Sequence, residues 1–124
     1  MFRDINQIEL GWIEKLFSVD FAGKEILQKK IEKAKISLEK NYDYISLKFS
    51  IKGAPEKFPY KVRVPIEMRA FQKNSAPILF LLHIIDGTIS ELEILTADTS
   101  KIDINSIALD HVEFEMNKEV QKMI

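Results

Sequence analysis

Paired carboxylates are the raw material of acid–base chemistry, and this chain carries one such pair in "HIIDGTISELEIL", residues 83–95. Glu91 and Glu93 follow an Asp86-Gly87 dipeptide, the signal of a two-residue type I′ hairpin turn. Such a turn pairs Ile85 with Thr88, Ile84 with Ile89, Leu82 with Glu91 and Phe80 with Glu93. On that register both glutamates share a sheet face with Phe80, Leu82, Ile84 and Ile89. Leu79, Leu81, His83, Ser90, Leu92 and Ile94 take the other face. Two carboxylates can act as acid and base in glycoside hydrolysis when they flank a sugar cleft, but no aromatic-lined cleft accompanies these. Magnesium or calcium needs more oxygen ligands than two. Lys61 and Arg63, also two residues apart, offer opposite charges from a neighbouring strand, so a structural or docking role is the better reading.

"DHVEFEM" presents a second combination, with His111, Glu113 and Glu115 on one side of a strand and Val112, Phe114 and Met116 on the other. A histidine and carboxylates can hold zinc or manganese. Side chains alternate along a strand and same-face neighbours start about 7 Å apart, too far for three in line to share one ion. A solvated strand face accounts for them. His83 shares a face with Ser90, yet no nucleophile-elbow sequence surrounds that serine, and a histidine at the rim of the core is the simpler reading. The four glycines are scattered and form no phosphate loop. No catalytic residue, metal ligand or cofactor is therefore expected.

The elements that must position these groups follow from periodicity. Residues 5–17 place Ile5, Ile8, Trp12, Ile13, Leu16 and Phe17 on one helical stripe, with Glu9, Glu14 and Lys15 pointing away. Asp4 suits the N-cap, with Gln7 three positions later. "GKEILQKKIEKAK" repeats the pattern through Ile26, Leu27, Ile31 and Ala34, giving expected helices near 5–18 and 23–34. Neither would be stable alone in water, so each needs a packing surface. From residue 36 the period falls to two: "KISLEK", then "YISLKFSIK" with Ile45, Leu47, Phe49 and Ile51 on one side. "FPYKVRVPI" reads as a strand with Tyr60, Val62, Val64 and Ile66 inward, bracketed by Pro59 and Pro65. "GAPEK" and "EMRAFQKNSA" read as loops. The hairpin 77–85/88–95 follows, and "ALDHVEFEM" closes the set. Trp12, Leu16, Leu27, Ile31, Leu47, Phe49, Val62, Val64, Leu81 and Leu92 make the expected core. The fold class is α+β, a single domain over 1–124, with two N-terminal helices packed on one face of a mainly antiparallel sheet of about five or six strands.

Composition agrees. The chain has 124 residues, 46% hydrophobic and 30% charged, which is the globular range. There is no cysteine, which removes disulfides, thiolate metal sites and a cysteine nucleophile and suits a reducing cytoplasm. Eighteen basic and 19 acidic side chains leave a formal charge of −1, so no field of one sign favours nucleic acid. No apolar run reaches the ~18 residues of a membrane span, and the start lacks a signal-peptide core. A cytoplasmic protein with no membrane or nucleic-acid partner is expected.

Along "IELGWIEKLF", the "SVDFAGKEIL" step, "VRVP" and "LLHIIDGTISELEIL" ending near "ADTS", the chain resembles a family of small, functionally uncharacterised bacterial proteins, a domain of unknown function. The resemblance covers roughly residues 4–100. It implies a compact bacterial α+β domain and transfers no activity or site residue.

Strand 77–85 is apolar on both faces, the mark of a strand buried twice. One side should meet the helices. The other, built from Phe80, Leu82, Ile84 and Ile89 and rimmed by Tyr44, Lys48, Arg63, Glu91 and Glu93, has the apolar centre and charged rim of a docking surface. The leading expectation is a non-enzymatic protein-interaction module, of toxin-neutralising (immunity) or regulatory type, whose partner is another protein or a second copy. Its rival is an enzyme or small-ligand-binding protein with a pocket between helices and sheet near His83. The C-terminal segment 107–124 either covers the docking face or extends the sheet at an edge. Replacing both Glu91 and Glu93 with glutamine should alter stability or partner binding rather than metal affinity. Stoichiometric metal binding by the native chain, lost in that double variant, would overturn the expectation.

Overall fold

The computed structural model describes residues 1–53, 56–73 and 76–121. Ala54 and Pro55 of the first expected loop, Asn74 and Ser75 of the second, and residues 122–124 of the C-terminal segment lie outside the described residues. Helix α1 spans Gln7–Leu16 and α2 spans Lys24–Glu32. Six strands follow: β1 Lys35–Lys40, β2 Tyr44–Ser50, β3 Ile66–Phe71, β4 Ile78–Ile85, β5 Thr88–Thr96 and β6 Ala108–Met116. They form one antiparallel sheet in the order β1-β2-β5-β4-β3-β6. The α+β class is observed, and β6 extends the sheet at an edge beside β3.

Local chemistry explains the helix starts. Asn6, rather than Asp4, caps α1: its side chain accepts the Glu9 N–H at 2.9 Å, and Glu9 Oε1 accepts the Asn6 N–H at 3.0 Å. Asp4 is drawn instead to Lys35, at 2.5 Å. Glu9, expected to point away, is 3% exposed, because Arg3 neutralises it through two hydrogen bonds of 2.9 and 2.6 Å. Ile8 is correspondingly exposed. Ahead of α2, Gly23 has φ +84°, and a Cβ there would come within 2.5 Å of the Phe58 ring. A glycine is required by both backbone and space.

The stretch 58–65 is not a strand, and β3 begins where a loop was expected. Pro59 and Pro65 remove two donors that a ladder would use. The segment touches the hairpin at separated points, with the Phe58 N–H on Gly87 O at 2.9 Å and the Ile84 N–H on Arg63 O at 2.7 Å. Tyr60, expected inward, is exposed. Pro65 stands at the start of β3, and Ile66, Met68 and Ala70 are fully buried while Glu67, Arg69 and Phe71 face the other way.

Asp86 and Gly87 both have positive φ, 53° and 75°, as a type I′ turn demands. Ile85 pairs with Thr88 and Ile84 with Ile89. The register then shifts: His83 faces Glu91, Leu82 faces Leu92, Leu81 faces Glu93 and Phe80 faces Ile94. Ser90 is the extra residue of a β-bulge, and it turns Glu91 and Glu93 onto the face opposite the one expected.

The faces are consequently exchanged. Phe80, Leu82, Ile84 and Ile89 are buried in the core, with the Trp12 ring centroid 5.8 Å from that of Phe80. They are interior residues and offer nothing to a partner. Of the expected core, Trp12, Leu16, Leu27, Ile31, Leu47, Val62 and Leu92 are buried, whereas Phe49, Val64 and Leu81 are half-buried. Val112, Phe114 and Met116 of β6 pack against this same core rather than covering a second face.

The exchange makes a stability prediction. Leu82→Ala should cost ~2–5 kcal/mol, the penalty of a core cavity, and Leu81→Ala clearly less, both read by chemical denaturation. Equal losses would contradict the bulged register.

Candidate functional site

The face away from the core brings together groups from five strands. Cross-strand pairing lines up Ser46, Glu93, Leu81, Glu67 and Glu115 in one row. A second row contains Tyr44, Leu95, Leu79, Arg69 and Glu113. Lys48, Glu91 and His83 form a third. Leu79, Leu81 and Leu95 are half-buried at the centre, and the carboxylates surround them. Of the residues expected at a docking rim, Tyr44, Lys48, Arg63, Glu91 and Glu93 do assemble here. Their expected apolar centre does not, and Leu79, Leu81 and Leu95 stand in its place.

Two hydrogen-bonded groups hold the carboxylates. Glu91 Oε2 accepts the Tyr44 hydroxyl at 2.9 Å and the Ser46 hydroxyl at 2.5 Å. Ser46 is fully buried although it lies on this face. Burial pushes the Glu91 carboxyl up, but these two donors outweigh it, and Lys48 and any positive charge on His83 add to them. The net displacement is below the usual carboxylate range. Burial, then the Glu91 carboxylate, pushes the Tyr44 phenol up to about 12. On the other side, Arg63 Nε donates to His83 Nδ1 at 3.2 Å, and His83 Nε2 lies 2.9 Å from Glu93 Oε1. With Nδ1 accepting, Nε2 carries the proton and donates to Glu93. The expected link to Arg63 is thus made for Glu93, through His83, whereas Glu91 is held by Tyr44 and Ser46 instead.

Across the leucines, Glu67 and Glu115 are direct cross-strand partners. Burial first, and the neighbouring Glu115 second, raise the Glu67 carboxyl. Arg69 sits 3.5 Å from Glu113 in the adjoining row.

Both His83 nitrogens are engaged, and the hydroxyl donors of this face point to Glu91. Ser90, the expected neighbour of His83, is the bulged residue. Among the described residues, no group of three or more His, Asp or Glu side chains is placed to hold a metal ion. Among the described residues, no helix is long and apolar enough to cross a membrane. No protein-family model, curated protein or solved structure matches the chain.

Reasoning from sequence missed Ser46, Glu67 and the leucine centre. The alternation of β2 already set Ser46 on the polar side, beside Tyr44 and Lys48. The spacing Ile66, Met68, Ala70 was the available signal for β3, and with it for Glu67.

The carboxyls give pH predictions of opposite sign. Glu67 holds its proton more tightly folded than unfolded, so its contribution is present below the ordinary carboxylate range and lost as pH rises through its elevated value. Glu91 is depressed, so its contribution is present above that range and lost as pH falls through its lowered value. Glu67→Gln should remove the first dependence and Glu91→Gln the second, in urea unfolding measured from acid to neutral pH. Unchanged profiles in both variants would refute these assignments.

Proposed function

We propose that this chain is a non-enzymatic interaction module, and that its partner is a protein with a basic surface that docks on the outer sheet face. The observation supporting this reading is the leucine centre of Leu79, Leu81 and Leu95 framed by carboxylates, two of which, Glu91 and Glu93, internal hydrogen bonds already hold in place. Preorganised side chains lose little freedom on binding, so more of the contact energy appears as affinity. The frame has five glutamates, Glu67, Glu91, Glu93, Glu113 and Glu115, against Lys48, Arg63 and Arg69. Two copies joined by this face about a two-fold axis would set like charges against like, which favours a different, basic protein over a homodimer. On this reading α1 and α2 lie together over the inward face and leave the outer one open. A toxin-neutralising or regulatory role in a bacterial cytoplasm is the use we assign to such a surface, and the resemblance to small bacterial proteins accords with it.

The test is affinity capture from the native host, followed by titration of the captured partner against variants. Leu81→Lys should weaken binding by about thirtyfold or more, as loss of a central apolar anchor does, while leaving the fold intact by circular dichroism. Raising salt should slow association with the native chain. A complex that forms equally well with Leu81→Lys would rule out this face.

A further inference from the structure

A groove of about 700 Å³ runs between residues 57–63 and the hairpin end at 84–87, and Arg63, which lines it, also bonds to His83. The two backbone bonds that join 58–63 to the hairpin, Phe58 N–H to Gly87 O and Ile84 N–H to Arg63 O, stand near its ends. Its walls differ in character. Tyr60 and Ile85 present exposed apolar surface, 37% and 42%, and the Tyr60 ring is braced edge-on by Phe58 at 5.4 Å. Lys57, Lys61 and Arg63 also line it, against the single carboxylate of Asp86. Among the described residues none of these three cations is ion-paired to a carboxylate. His83 fixes the Arg63 guanidinium through Nε, and its terminal nitrogens donate to no described residue.

We propose that this groove binds a small organic anion, a carboxylate or phosphate carried on a planar apolar body. A pocket of this size, with an apolar wall and a few converging polar groups, has the form of a small-molecule site. The free fork of a guanidinium matches the two oxygens of either anion. Tyr60 and Ile85 supply the surface on which a ring can lie. The proposal stands independently of the docking reading, because the groove and the leucine centre are separate surfaces. Arg63 nevertheless joins them: an anion drawing on its terminal nitrogens acts on a side chain that positions His83, and through His83 on Glu93.

The experiment is a titration of the isotope-labelled chain by nuclear magnetic resonance, with phenyl phosphate and benzoate as anionic probes and benzyl alcohol as the neutral control. We expect saturable shifts in the backbone amides of 60–63 and 84–87 and in the His83 ring nitrogens, produced by at least one anion and not by the alcohol. The anion that binds more tightly identifies the headgroup. Arg63→Gln should weaken binding by about tenfold, the loss of a charge-assisted contact. The double variant Lys57→Gln, Lys61→Gln should weaken it too, and it leaves the Arg63–His83 contact in place should Arg63→Gln disturb the fold. Absence of saturable shifts with both anions, an equal response to benzyl alcohol, or unchanged affinity in both variants would overturn the proposal.

Discussion

The placement of side chains on this sheet depends on the extra residue that β5 carries between Ile89 and Glu91. Up to Ile89 the hairpin follows its two-residue turn, and beyond Ser90 every partner is displaced by one. Without that bulge Leu92 and Ile94 would face away from the core and the two glutamates would face into it. Buried unpaired carboxylates cost several kcal/mol apiece, and two aliphatic side chains left in water would each forgo ~1.5–3 kcal/mol. An unpaired residue in the ladder is a small cost beside either. The bulge is what lets one strand present Ile89, Leu92 and Ile94 inward and Glu91 and Glu93 outward.

The outer face shows how carboxylates are made tolerable on a half-buried surface. Glu91 receives two hydroxyls, Glu93 receives an imidazole, and that imidazole is steadied in turn by Arg63. Each of these two carboxylates receives at least one donor from within the chain, which reduces both its desolvation cost and its mobility. Among the described residues the Glu67–Glu115 pair has no such donors, and burial together with the neighbouring Glu115 raises the Glu67 carboxyl. The same face therefore carries two carboxyls displaced in opposite directions, Glu91 below the usual carboxylate range and Glu67 above it.

Elsewhere, irregular segments are secured by single polar residues rather than by regular ladders. Arg3 pairs its backbone with Ile36 and its side chain with Glu9, joining the N-terminus, β1 and the cap of α1. Gln72 is buried and bridges to the connection before β6, donating to Lys101 O at 2.7 Å and accepting the Asp103 N–H at 2.8 Å. The stretch 58–65 is held by the two bonds to the hairpin, and its displacement from the sheet opens the groove beside Arg63.

Periodicity alone determined both helices, β1, β2, the hairpin with its turn, and β6, because each is a local pattern of 3.6 or 2 residues bounded by its own stop signals. It also placed Tyr44 and Lys48 on the polar side of β2, whereas the unbulged register set Glu91 and Glu93 on the face of Phe80, Leu82, Ile84 and Ile89. The strand over 58–65 was misread because alternation says nothing about donors, and the two prolines withhold the ones a ladder needs. β3 was hidden behind Pro65, which ends a strand or begins one with equal ease. The break from Ile89 to Leu92, three positions where the period asks for two, was the trace of the bulge in the sequence. Which face of β4 lies inward was a tertiary decision. Both of its faces are apolar, so local preference is nearly balanced, and the choice fell to the partners: Trp12 against Phe80 on one side, and on the other a surface whose glutamates had first to be turned away from the core.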